Sequence, residues 1–212
     1  MLFIMIILLI SSINAKPLYP ADSLMKSNEI PLIKKIGILP ISLWQRISYN
    51  SNFFDCQFYP SCSNYGAISL KKHGLIKGGI IASDRITRCN PYALDYHMKL
   101  GFAFKDHDGR LIDPLVQNAI KRHKKSPYFA SLLSVIPGLG RIYLGRPGDG
   151  FIGFINTFLT GNTAYYAIKN NRPIVGTLFS VAFFYVYFGE IYGTWRTAEF
   201  YQESNSIPDK WN

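Results

Sequence analysis

The stretch Cys56–Pro91, CQFYPSCSNYGAISLKKHGLIKGGIIASDRITRCNP, holds all three cysteines of a 212-residue chain and two short amphipathic segments joined by one glycine. Ser63 is placed to cap a first helix, and Gly74 to close it. Leu75–Arg88 reads as a second helix that follows directly. Ala67, Ile68 and Leu70 mark one apolar side of the first; Ile76, Ile80, Ile81 and Ile86 mark that of the second. Lys71, Lys72, Lys77, Arg85 and Arg88 are then expected on the solvent side, as a basic surface. The fold class that follows is mainly α, with a small amphipathic helical domain that contains the cysteines.

Working toward the N-terminus, Ile36–Ser48 (IGILPISLWQRIS) has apolar residues at helical spacing, with Arg46 at the polar edge. Pro40 is expected to start that helix. Ile41, Leu43, Trp44 and Ile47 form its apolar face, which suits either the lipid headgroup region, with Trp44 at the boundary, or the core of a small bundle. The proline-containing residues 16–35 read as a linker. Residues 1–15, MLFIMIILLISSINA, hold an apolar run of nine residues followed by small residues. They read as a signal peptide or an N-terminal anchor.

Working toward the C-terminus, residues 100–113 (LGFAFKDHDGRLID) suggest a β-hairpin with its turn at Asp108-Gly109. Residues 116–127 form a basic linker around Lys121-Arg122-His123-Lys124-Lys125. The character then changes. Phe151–Ile168 is uncharged and spans about 27 Å if helical. Ile174–Gly189 is uncharged again, and only a short polar turn, Lys169–Pro173, separates the two. Residues 128–200 therefore read as a Gly-rich lead-in and a transmembrane helical hairpin, with 201–212 as a tail. Tyr185, Tyr187, Tyr192 and Trp195 would be interface aromatics, and Glu190 an interface carboxylate.

Charge agrees with this division. The net charge is +10, and residues 16–150 carry 19 Lys and Arg against 9 Asp and Glu, so the whole excess lies before residue 151. A basic front half implies an acidic partner surface. An uncharged helical hairpin favours anionic lipid over nucleic acid, so no nucleic-acid partner is expected.

The cysteines admit several chemistries. The spacing Cys56-x5-Cys62-x10-His73-x15-Cys89 offers four zinc donors but lacks the tight cysteine pair that structural zinc sites show. A disulfide with one thiol left over is a second reading. A Cys–His pair using His73 or His97 lacks a recognisable orienting group. Thiols packed into the helical junction are favoured. Gly140–Pro147 fails as a phosphate loop because Arg146 and Pro147 replace the Lys and Ser/Thr. Asp106–Gly109 fails as a calcium loop because Phe104 and Leu115 fall where acidic ligands belong. No catalytic residue, cofactor or metal is expected.

Cys56-Gln-Phe58-Tyr-Pro60-Ser-Cys62-Ser63-x-Tyr65 resembles the central signature of the YidD family of membrane protein insertion efficiency factors. His73-Gly74-x-x-Lys77-Gly78 and Arg85-x-x-Arg88-Cys89-x-Pro91 continue it in order, and Trp44-Gln45 and Asp113-Pro114 flank it, so the resemblance covers residues 36–115. Two features depart from the family pattern: Asn90 stands where the family usually has His, and the hairpin is an addition.

The resemblance implies a non-enzymatic protein on the cytoplasmic face of the bacterial inner membrane. It would help nascent membrane proteins reach the Sec machinery and the YidC insertase. Trp44, Arg46, Lys71, Lys72, Lys77, Arg85 and Arg88 are the expected surface for anionic phospholipid and for those partners. The rival expectation is an exported envelope protein with a disulfide-bearing structural or interaction domain on the periplasmic face.

Overall fold

The computed structural model describes residues 19–50, 56–113 and 125–200. The expected signal or anchor, most of the basic linker and the C-terminal tail lie outside those residues.

The chain forms helices α1 (Pro20–Lys26), α2 (Leu32–Ser48), α3 (Cys62–His73), α4 (Leu75–Arg88) and α5 (Ala93–Leu100), then α6 (Pro127–Leu133), α7 (Leu139–Tyr143), α8 (Pro147–Lys169) and α9 (Pro173–Phe200). Two short strands, β1 (Phe58–Tyr59) and β2 (Leu111–Ile112), pair in parallel with Phe58 opposite Leu111. The expected hairpin at 100–113 is therefore only partial. Phe104 bridges Leu111 around Gly109, which sits at φ +65°, but Leu111 spends its amide on Gln57 O at 2.8 Å.

Gly74 breaks the α3–α4 pair where expected, at φ +78°, a conformation that costs glycine little. The cap of α3 lies two residues earlier than expected. Ser61, not Ser63, accepts the amide of Asn64 at 3.4 Å, while Ser63 Oγ accepts from Gln45 Nε2 at 3.2 Å. Two other expectations are corrected. Residues within the expected linker fold as α1, whose Ala21 packs with Ile30, Ile38, Ala67 and Leu70 in one apolar cluster. And α2 starts at Leu32, leaving Pro40 inside it. An interior proline costs about 3 kcal/mol. Burial of Ile38 in that cluster offsets part of this, because it needs the turn before Pro40 to be helical.

Packing between α3 and α4 is close enough to forbid a side chain at Gly78. A methyl there would stand 2.6 Å from Ser69 O and 2.7 Å from Leu70 Cα. In an exposed helix, Gly→Ala gains about 1 kcal/mol. Here the obstacle is backbone, so Gly78→Ala should reverse that sign and cost about 1–3 kcal/mol. Thermal unfolding of the purified variant measures it.

The tail docks along the cysteine-containing module. α4 and α9 run side by side in the same direction: Gly79 meets Tyr185, Gly189 meets Ser83 and Gly193 meets Asp84. α8 and α9 form an antiparallel pair around a turn in which Arg172 N bonds Ala167 O at 2.8 Å. Among the described residues one helix, Pro173–Glu199, is long and apolar enough to cross a membrane. The expected two-spanning hairpin is thus present as a helical pair, with only its second member meeting that measure. α8 is diluted by Gly148, Gly150, Gly153 and Gly161 and by Asn156, Thr157, Thr160, Asn162 and Thr163.

Candidate functional site

Several helices are inverted relative to a protein dissolved in water. On α2, Ser42, Gln45 and Ser48 face inward beside Ile38. Gln45 Oε1 accepts Ala21 N at 2.9 Å, and Ser42 donates to Asp22. Leu32, Ile33, Ile36, Leu39, Trp44 and Ile47 point outward, Leu32 with 76% of its surface exposed. α8 exposes Phe151, Phe154, Phe158 and Leu159; α9 exposes Ile174, Leu178, Val181 and Phe188. Contiguous apolar surface on this scale marks a partner or a lipid phase.

Ile76 of α4, Ile168, Pro173, Val181, Phe184 and Tyr185 line an open, mostly apolar cleft of about 940 Å³ between the module and the hairpin.

The expected basic surface divides. Lys71, Lys72 and Lys77 are exposed around the α3–α4 turn. Lys34 reaches the same place, donating from Nζ to Lys71 O at 2.7 Å. Trp44 is exposed about 15 Å farther along α2, at 1.5 Å per residue from Lys34. Arg46 instead pairs with Asp22 at 2.9 Å. Arg85 and Arg88 are buried, which corrects their assignment to the solvent side. α4 turns Arg85 and Arg88 inward together with Ile81, and leaves Ile76 and Ile86 exposed together with Lys77, so neither expected side is kept whole.

Those two arginines enter a buried ionic cluster. It sets Arg85, Arg88, Arg141, Arg146 and Arg196 against Asp84, Asp113, Asp149 and Glu190. Arg88 bonds Asp84 at 3.0 Å and Asp113 at 2.9 Å. From the tail, Arg141 reaches Asp84 at 2.8 Å and Arg196 reaches it at 3.3 Å. Burial opposes ionisation of Asp84, but Arg88, Arg141 and Arg196 outweigh it and hold the carboxyl below the ordinary carboxylate range.

Glu190 is not at an interface. It is fully buried and accepts Arg141 Nε on both oxygens at 3.1 Å, against Gly153, where a side chain would collide with it.

Asn90 ties the two parts together again. Its Nδ2 donates to Thr87 O at 2.9 Å and to Asp149 at 2.5 Å. The residue that departs from the family pattern thus contacts the segment that extends it.

Other signature residues build this core. The Arg85 guanidinium lies 3.9 Å from the Phe58 ring centroid and 4.8 Å from that of Tyr65, and it donates to Pro60 O at 3.1 Å. Cation–π stacking and a partly buried hydrogen bond thereby fix β1 against α3 and α4. Pro91 is exposed at the end of α4.

The three cysteines converge. Cys56 Sγ lies 3.3 Å from Cys62 Sγ and 3.9 Å from Cys89 Sγ, all half-buried over Phe58, Ala93 and Leu111. Contact with the Cys62 and Cys89 sulfurs lowers the Cys56 thiol far below its ordinary value, and contact with Cys56 raises the other two. His73 is exposed at the opposite end of α3, about 16 Å from Cys62 by helical rise. His97 bonds Ala103 O at 3.0 Å. Among the described residues neither histidine joins the thiol group. The expected packing of thiols at the helical junction agrees with this placement. Their mutual approach was not legible, because it depends on β1 turning back toward the end of α4.

The YidD family model, "Putative membrane protein insertion efficiency factor", matches residues 33–97. A relative of the same description from Oleidesulfovibrio alaskensis is 49% identical over 61 residues, 28% of this chain and 69% of that protein. One from Thermoanaerobacter pseudethanolicus is 43% identical over 60 residues, 28% of this chain and 87% of that protein. A third, from Clostridium kluyveri, is 42% identical over 60 residues, again covering 87% of that protein. No solved structure matches the chain significantly. The matched segment runs from α2 into α5, so β2, Asp113 and the whole tail lie outside it.

Proposed function

Because this chain belongs to the YidD family of membrane protein insertion efficiency factors, we propose that it is a non-enzymatic, membrane-bound accessory that assists insertion of integral membrane proteins into the bacterial inner membrane. The observation that carries the proposal is the inverted architecture: charge and amide groups inside, aliphatic and aromatic side chains outside. In water, that exposed surface would forgo about 25 cal/mol per Å². In lipid it is at home, while among the described residues each buried charged side chain has an ion-pair partner.

On this reading α8 and α9 both cross the bilayer as a hairpin. Lipid also covers the outward stripe of α2. Lys71, Lys72 and Lys77 meet anionic phospholipid on the cytoplasmic face, and Trp44 sits at the boundary. The same basic corner is the side presented to the insertase and translocon machinery, YidC and Sec. The apolar cleft beside Ile76 is then a place for a segment of a nascent membrane protein to rest during transfer.

The test is the rate at which a newly made single-span protein becomes membrane-integrated in cells with and without this chain. Insertion is expected to slow several-fold without it and to recover with the wild type. Each lysine near an anionic surface contributes about 1 kcal/mol. The variant with Lys71, Lys72 and Lys77 all changed to Gln should thus weaken membrane-surface contacts by about 3 kcal/mol and restore insertion poorly. Equal insertion rates with and without the chain would overturn the proposal.

A further inference from the structure

We propose that Cys56, Cys62 and Cys89 form a three-thiolate site for a thiophilic divalent cation of the zinc type. The three sulfurs come from separate segments: the lead-in to β1, the first residue of α3 and the residue capping α4. All three lie within 4.8 Å of one another, with two of the separations at 3.3 and 3.9 Å. Zn–S bonds of about 2.3 Å in tetrahedral geometry place sulfurs about 3.8 Å apart, so small side-chain adjustments bring the trio onto one ion.

The surroundings favour anionic sulfur. Cys62 N donates to Cys56 Sγ at 3.2 Å, and Gln57 Nε2 approaches Cys89 Sγ at 3.9 Å. Cys62 also begins a 12-residue helix, where the backbone dipole attracts negative charge.

One side of the trio rests on Phe58, Ala93 and Leu111, and each cysteine keeps part of its surface open. Among the described residues the group holds three donors, and no further His, Cys, Asp or Glu joins them. A divalent ion on three thiolates leaves one net negative charge, where a monovalent ion would leave two. The half-buried setting favours the former. Bound there, the ion would staple the approach to α3 onto the end of α4 across 33 residues.

Metal uptake is independent of the proposed insertion role, so either can fail alone. The experiment titrates Co2+, as a coloured stand-in, into the full chain purified in detergent, reduced and stripped with a chelator. One equivalent should give thiolate-to-cobalt absorption of tetrahedral type, and Zn2+ should displace it. Cys56→Ser, Cys62→Ser and Cys89→Ser should each lose the band, with helical content measured to confirm folding, and His73→Ala should keep it. If a Ser variant fails to fold, alkylation decides: bound Zn2+ should slow labelling of all three cysteines in the wild type. Absence of the band, its survival in a folded Ser variant, undiminished alkylation with Zn2+, or recovery of two of these sulfurs as a disulfide from freshly lysed cells would each overturn the proposal.

Discussion

Asp84→Ala should leave the chain unable to hold its native fold in detergent. The substitution takes one small carboxylate from contact with Arg88, Arg141 and Arg196, and all four side chains are nearly or wholly buried. Removing one partner of a buried pair typically costs 3–5 kcal/mol, because the other charge is left uncompensated. Asp84 has three such partners, and the whole folding free energy of a domain is about 5–15 kcal/mol. Asp84→Asn keeps the volume and should fail nearly as badly, which assigns the loss to charge.

Replacing both members of a pair is gentler. Arg141→Met with Glu190→Leu should cost less than the sum of the two single changes, although Arg141 also serves Asp84. Thermal unfolding in detergent reads all of these. A melting point for Asp84→Ala within a degree or two of wild type would refute the expectation. The acid limb has a defined sign. The Asp84 carboxyl titrates below its unfolded value in the fold, so its contribution is present above the ordinary carboxylate range and is lost as pH falls through its lowered folded value, in strong acid.

Phe158→Asp is the second large expectation. Phe158 is at the middle of α8 and points outward, 57% exposed. On a protein surface in water, such a change stays within about 0.5 kcal/mol. At the centre of a membrane helix an aspartate costs about 2.5–3.5 kcal/mol. The two settings therefore differ by roughly a hundredfold in equilibrium terms. Val181→Asp on α9, 50% exposed, serves as the comparison. Both variants should lower the fraction of chain recovered in alkali-washed membranes. If Val181→Asp does so and Phe158→Asp does not, α8 lies against water or protein, and α9 alone contacts lipid.

The helices of the module were legible where local chemistry decides them. Gly74 ends α3 because a left-handed turn is needed there, and α4 then runs over the residues its spacing predicts, Leu75–Arg88. The orientation of α4 was not legible, because a polar stripe marks water in one solvent and the interior in another. For that reason spacing alone puts Arg85 and Arg88 on the solvent side and Glu190 at an interface, whereas the structure buries all three. Their partners stand far away in sequence: Asp84 is 57 residues from Arg141 and 112 from Arg196. The thiol trio was obscured similarly. No two cysteines have metal-site spacing along the chain, and only the return of the Cys56 segment onto the end of α4 places them together.

The contact between Asp84 and Arg196 also bears on how the molecule is made. Synthesis runs from the N-terminus, so α4 leaves the ribosome long before the helix that carries Arg196. Until then, two acids of the module, Asp84 and Asp113, lack their contacts with Arg196 at 3.3 and 3.5 Å, and water or headgroups must stand in for it. On the proposed reading, completion of the module therefore waits on the helix that carries Arg196, and the chain becomes an early client of the process it is proposed to serve.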